Sequence, residues 1–228
     1  MSDKILIPFS GGVNSTYSLY RWLTESDAEV IARHGIDDFQ DDDHNAQELE
    51  RVENITNFLK KEYRDFNFQT SEFTTKYIEE RIPIRPGFKK GEYNIGVLRP
   101  RYLEFTEWCI ENSVNAISIG VSIENTATQG YDVMRKESGI EDIGVDIYLA
   151  GTPDLIPVPT GDDFKYDEIA KDMIGRFEQY EALPEKLQPL CLKCNLSTCS
   201  DKKCRDCAYQ RTYEMFISGT NFTSSNSF

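Results

Sequence analysis

The sequence predicts an α/β fold: a doubly wound, mainly parallel sheet followed by a small C-terminal helical region that collects cysteines. Two observations carry this expectation. Short apolar runs alternate with amphipathic stretches through the first half of the chain, the βα rhythm of a parallel sheet. Five of the six cysteines then fall between Cys191 and Cys207, after that rhythm has ended. A third observation marks a ligand site. Ser10-Gly11-Gly12-Val13-Asn14-Ser15 directly follows the apolar run Lys4-Ile5-Leu6-Ile7-Pro8-Phe9 and opens a helical stretch.

Taken in order, strands are expected at Ile5 to Phe9, Glu29 to Arg33, Phe66 to Thr70, Ala116 to Gly120 and Leu155 to Pro157. Helices are expected at Ser15 to Leu23, Asn45 to Glu62, Val97 to Glu111 and Tyr166 to Arg176. The second helix carries Leu49, Val52, Ile55 and Phe58 at steps of three, an inward stripe. Before it, the segment Asp37 to His44 holds five aspartates and reads as a solvated acidic loop. Cys109 sits in an apolar helix as a core residue. The Gly, Pro and Asp content of Gly151 to Asp163 marks a hinge loop with one short strand.

The chain has 228 residues, 39% hydrophobic and 28% charged, in the range of a globular protein with one sizeable core and an appended element. No apolar run reaches membrane-span length, and the chain enters a strand at once, so no membrane partner, no signal peptide and a cytoplasmic location are expected. A net charge of -14 opposes long-range attraction to nucleic acid. Arg81, Arg85, Lys89, Lys90, Arg99 and Arg101 punctuate one central stretch, either as solvated charges or as a grip on an acidic small substrate.

A Ser/Gly/Gly turn between a buried strand and a helix gathers backbone N–H groups at the helix N-terminus, where they face an anion. Gly11 and Gly12 allow close backbone approach, and Ser10 and Ser15 add hydroxyl donors. The expected anion is a nucleotide pyrophosphate. The competing reading is a glycine-rich turn with no ligand. The spacing matches neither Gly-x-x-x-x-Gly-Lys-Ser/Thr nor Gly-x-Gly-x-x-Gly. It resembles the Ser-Gly-Gly-x-Asp-Ser loop of the PP-loop ATPases, which activate carboxyl or carbonyl oxygens as adenylates. Asn14 stands where that loop has Asp, keeping the hydrogen-bonding shape without the charge that holds Mg²⁺.

Cys191-x-x-Cys194 and Cys204-x-x-Cys207 are two knuckles of the kind that present four thiolates to tetrahedral Zn²⁺, with Cys199 as a substitute ligand. All-cysteine ligation leaves no open position, so the zinc is structural. An Fe–S cluster is also held by four cysteines and stays open from spacing alone. The expected organisation is a nucleotide-binding α/β domain over 1–160, a C-terminal helical region with a four-cysteine zinc site over 161–219, and a flexible tail over 220–228.

The loop and cysteine cluster together resemble 7-cyano-7-deazaguanine synthase. Tyr93-Asn94-Ile95-Gly96-Val97-Leu98, Ile119-Gly120-Val121-Ser122, Gly130-Tyr131-Asp132 and Cys204-x-x-Cys207-x-x-x-Arg211 follow that family's segments in order. His34-Gly35-Ile36 and Gln40 echo its Tyr-Gly-Gln-x-His, and Asp201 stands where it places a further cysteine. The resemblance implies a Rossmann-like PP-loop fold and an ATP-dependent ligase with Mg²⁺ and Zn²⁺. It would convert 7-carboxy-7-deazaguanine and ammonia into 7-cyano-7-deazaguanine in queuosine biosynthesis. It also implies a homodimer. Catalysis falls to Ser10, Asn14 and Ser15. The nucleotide falls to Ser10, Gly11, Gly12, Val13, Asn14, Ser15, His34, Gly35 and Gly120, and the substrate to Asn94, Arg99, Arg101, Tyr131, Asp132 and Arg135. Alternatives are a ligase with another amine acceptor such as a protein, a tRNA-thiolating PP-loop enzyme, or a nucleotide-binding protein without turnover. The acidic chain, with Cys109 alone outside the cysteine cluster, weighs against thiolation.

Overall fold

A computed structural model describes residues 4–38, 42–73, 98–122, 145–157, 169 and 171–191. The strands are β1 (Lys4–Pro8), β2 (Glu29–Asp37), β3 (Asn67–Phe73), β4 (Ala116–Ile119) and β5 (Asp146–Leu149). The helices are α1 (Val13–Glu25), α2 (Asp42–Glu62), α3 (Leu98–Glu111) and α4 (Arg176–Ala182), followed by a 3₁₀ turn at Gln188–Cys191. The strands form one parallel sheet in the order β3-β2-β1-β4-β5. The doubly wound parallel sheet expected from the sequence is therefore present. Its order reverses between β1 and β4, and such a switch point opens a crevice at the carboxyl ends of the strands.

The faces of the sheet follow from side-chain alternation. Leu6, Ile31, Ile117, Ile119, Ile147 and Leu149 pack with Phe105 and Cys109 of α3 in one buried cluster. The other face meets α1: Ser118 shares a buried hydrogen bond of 2.9 Å with Ser18, and Tyr148 meets Trp22 edge-on at 4.9 Å. Arg64 leaves α2 and closes the far end of α1. It donates to the carbonyls of Trp22 at 2.8 Å, Leu23 at 3.2 Å and Ser26 at 2.8 Å. A cation on otherwise unsatisfied helix carbonyls is favourable on both counts.

Several expected boundaries move. β2 continues four residues past Arg33, because β3 supplies a parallel ladder as far as Asp37 and Phe73. The acidic segment is not one loop. Asp37 ends β2, while Asp42 and Asp43 occupy the first turn of α2, where carboxylates complement the helix dipole. The α2 stripe drifts as well. Val52, Ile55 and Leu59 are fully buried, since 3.6 residues per turn carries a strict three-step pattern off the face. Leu155 to Pro157 is not a strand. Two prolines bracket it and Ile156 is 62% exposed, whereas the fifth strand is Asp146-Ile147-Tyr148-Leu149, with Ile147 and Leu149 buried. Of the helix expected over Tyr166 to Arg176, Ile169 is helical, residues 171–175 are turn and irregular backbone, and a separate helix begins at Arg176. Gly175 adopts extended backbone at the N-cap, and the Glu178 carboxylate accepts from its N–H at 2.5 Å.

All described residues belong to one compact unit. Within it α4 is fastened to the sheet by Gln179, whose Nε2 donates to Val121 O at 2.7 Å. Cys109 is buried in the core as expected, and desolvation pushes its thiol up to about 12. No helix among the described residues is long and apolar enough to cross a membrane.

Candidate functional site

The chain leaves β1 through Phe9, whose N–H still reaches Arg33 O at 2.8 Å, and turns at Ser10 to Gly12 into α1. Gly11 has φ +70, a left-handed conformation. A Cβ there would also lie 3.1 Å from Arg51 Nε and from Val52 Cγ2, so both torsion and space select glycine. Gly12 takes the N-cap position with no side-chain cap, and the first helical bond runs from Thr16 N to Gly12 O at 2.9 Å. The N–H groups of Val13, Asn14 and Ser15 therefore have no intrahelical acceptor, which is the donor set an anion needs.

The loop hydroxyls form a directed network. Ser15 Oγ donates to Gly12 O at 3.1 Å and accepts from Ser10 N at 3.3 Å. Its single proton being used, the 3.2 Å contact with Ser10 Oγ must be donated by Ser10. Ser10 Oγ in turn accepts from Gly12 N at 3.5 Å. Two loop N–H groups are thus held by hydroxyl oxygens that a phosphate oxygen could replace.

β4 forms the other wall. A Cβ on Gly120 would lie 2.7 Å from Asn14 C, Ser15 Cα and Ser15 N, so the first turn of α1 rests against the end of β4 backbone to backbone. Beyond it, fully buried Ser122 accepts from Asn14 Nδ2 at 3.2 Å. Asn14 is thereby tied across the switch point.

His34 is buried at the carboxyl end of β2, and its Nδ1–H donates to Phe9 O at 2.9 Å, bracing the entry to the loop. Gly35 sits beside it, paired with Ser71. The structure thus brings Ser10, Gly11, Gly12, Val13, Asn14, Ser15 and Gly120 together, with His34 and Gly35 behind them. Arg99 and Arg101 fall in the opening turn of α3. Asn94, Tyr131, Asp132, Arg135, Cys194, Cys199, Cys204 and Cys207 lie outside the described residues.

Cys191 is described. It is buried at the end of the 3₁₀ turn, and its Sγ donates to Leu187 O at 3.3 Å. Burial pushes this thiol up to about 12, while the Thr16 hydroxyl and the Arg51 charge pull the other way. The cysteine segment therefore begins against the first turn of α1. Among the described residues no group of three or more His, Cys, Asp or Glu forms a metal site.

Three residues here escape sequence reasoning. Ser122 closes the Ile119-Gly120-Val121-Ser122 segment but carries no expected role at the site. Thr16 reads as one more residue of α1. Arg51 reads as a solvated charge on α2, yet its Nη2 donates to Ser10 O at 3.3 Å and to Glu48 Oε1 at 3.1 Å.

No family model matches the sequence, and no curated protein matches it. Among solved structures, the chain is similar to the U34-tRNA thiolase NcsA from Methanococcus maripaludis with its 4Fe–4S cluster. Identity is 13%, the match covers 100% of this chain and 76% of that one, and the TM-score is 0.44.

Proposed function

We propose that the protein binds ATP through Ser10, Gly11, Gly12, Val13, Asn14 and Ser15 and uses it to activate a carboxylate as an adenylate. The observation that carries this reading is the uncapped N-terminus of α1 at the switch point between β1 and β4, entered through a left-handed glycine and walled by Gly120. The resemblance of the loop to that of the PP-loop ATPases supplies ATP as the nucleotide. The further resemblance to 7-cyano-7-deazaguanine synthase supplies 7-carboxy-7-deazaguanine as substrate and ammonia as acceptor.

In that reaction a carboxylate oxygen attacks the α-phosphorus, the bond to the β-phosphate breaks and pyrophosphate leaves. Ammonia then attacks the acyl carbon, AMP departs and an amide remains. A second ATP activates the amide oxygen in the same way. Loss of AMP and the two amide protons leaves the nitrile. The protein contributes positioning and neutralisation of phosphate charge, with no covalent nucleophile required. Ser10 and Ser15 would donate to the departing pyrophosphate. Mg²⁺, when bound, neutralises phosphate charge. Asn14 offers it one neutral oxygen, so the phosphates would carry most of its coordination. Asn94, Arg99, Arg101, Tyr131, Asp132 and Arg135 are proposed on the substrate side, and a homodimer in the cytoplasm is proposed as the working form.

Incubation with ATP, Mg²⁺, ammonium and 7-carboxy-7-deazaguanine is expected to yield AMP together with the amide or nitrile, read by mass spectrometry. AMP without a new small molecule would replace ammonia by another amine acceptor. Absence of AMP would replace the enzyme by a nucleotide-binding protein.

For the cysteines, Zn²⁺ held by Cys191, Cys194, Cys204 and Cys207 is proposed, with Cys199 as the substitute. The spacing is the support for Cys191 as a ligand, whereas its buried thiol is held protonated and its Sγ donates to Leu187 O at 3.3 Å, so metal binding would have to displace that proton. Elemental analysis of purified protein is expected to find about one zinc per chain, and chelation is expected to lower the melting temperature. Iron with acid-labile sulfide, or no metal, would overturn the assignment.

A further inference from the structure

Arg51 lies beneath the loop instead of in solvent: its side chain is 9% exposed. Nη2 donates to Ser10 O at 3.3 Å. Nε stands 3.1 Å from the point a Cβ on Gly11 would occupy, and it is buried without an acceptor among the described residues. Buried guanidinium donors are ordinarily satisfied, and this group cannot shed its proton. A peptide plane is rigid and trans, so the Ser10 carbonyl and the Gly11 N–H point in opposite directions. By drawing Ser10 O toward α2, Arg51 turns the Gly11 N–H away from α2. Glu48, paired with Arg51 at 3.1 Å and buried, offsets part of its charge.

We infer that Arg51 is a positioning residue that sets the Gly11 N–H for a phosphate and raises the positive potential of the loop, with Glu48 as its counterweight. This rests on the reading of Ser10 to Ser15 as a nucleotide-phosphate loop. The test is isothermal titration of wild type, Arg51→Met, Arg51→Lys and Glu48→Gln with ATP and with inorganic pyrophosphate, alongside melting temperatures. Wild type is expected to bind both, and Arg51→Met to weaken each about tenfold or more. Arg51→Lys keeps the charge on a compact ammonium and is expected to recover most of that loss. Glu48→Gln is expected to bind pyrophosphate more tightly than wild type while melting lower.

Opposite signs of the two effects separate a charge acting on the anion from simple packing, because packing damage would weaken binding in both variants. Equal affinity of wild type and Arg51→Met overturns the inference and leaves the phosphate loop standing. Should Arg51→Met not fold, Arg51→Lys and Glu48→Gln decide, and pyrophosphate binding by Glu48→Gln no tighter than that of wild type overturns the inference. A wild-type chain that binds neither anion removes the loop reading and this inference together.

Discussion

Gly120→Ala is expected to weaken ATP binding by at least about tenfold and to destabilise the fold by about 1–3 kcal/mol, the range for forcing atoms into a packed interior. The added methyl would meet three backbone atoms of α1 at 2.7 Å, and none of them can rotate out of the way. Either α1 or the end of β4 must move, and both form the crevice proposed for the phosphates. With about 2–4 °C per kcal/mol for a chain of this size, the melting temperature should fall by about 2–12 °C. Gly12→Ala is the control for stability. A Cβ there meets nothing closer than Ser10 Oγ at 3.6 Å, and the backbone at φ -79 suits alanine. Its melting temperature should therefore stay within about 1 °C of wild type. A Gly120→Ala protein that melts like wild type and still binds ATP would show that the close seating of α1 on β4 is not needed.

The loop and the strands on either side were legible because their signals are local. Ile5, Leu6 and Ile7 form a short apolar run that must be buried. Of the two glycines that follow, Gly11 with φ +70 and a crowded Cβ position needs glycine for both torsion and space, whereas Gly12 does not. What escaped depends on partners distant in sequence. β2 reads as ending at Arg33 because His34-Gly35-Ile36 is a poor strand by composition, and only β3 in register makes it one. Gly120 was visible as a glycine after a strand, but its reason is the backbone of residues 14 and 15, more than a hundred positions earlier. Arg51 and Glu48 look like an ordinary i,i+3 pair on a solvated helix. Their burial is decided by the loop they support. Cys109 was legible because an isolated cysteine in an apolar helix has few places to go except the core.

Arg21→Met is expected to cost about 2–4 kcal/mol, from three backbone carbonyls that each lose a charged donor, while the exposed Glu25 left behind is free to be hydrated. Arg21 is 4% exposed and uses all five of its donors. Nε and Nη2 clasp the Glu25 carboxylate at 2.7 to 3.0 Å. Nη1 reaches Ala150 O at 3.2 Å and Thr152 O at 2.5 Å, and Nη2 reaches Pro153 O at 2.7 Å. Methionine would keep the stem and strand three carbonyls, each deprived of a charge-assisted donor. Arg21→Lys should fall between wild type and methionine, because one compact ammonium cannot reach the carboxylate and three carbonyls together. Glu25→Gln should cost about 1 kcal/mol or less, since Glu25 is 45% exposed and water can replace part of the pair. Urea denaturation of the four proteins checks this order, and an Arg21→Met chain within about 1 kcal/mol of wild type would refute it. The same clasp bears on the site. The turn it holds contains Gly151, where an added Cβ would lie 2.9 Å from Val121 O and 3.2 Å from Gln179 Nε2, and Val121 leads into Ser122 and so to Asn14. Loosening that turn should therefore weaken ATP binding at temperatures where Arg21→Met is still folded, because the wall that orients Asn14 is built on it.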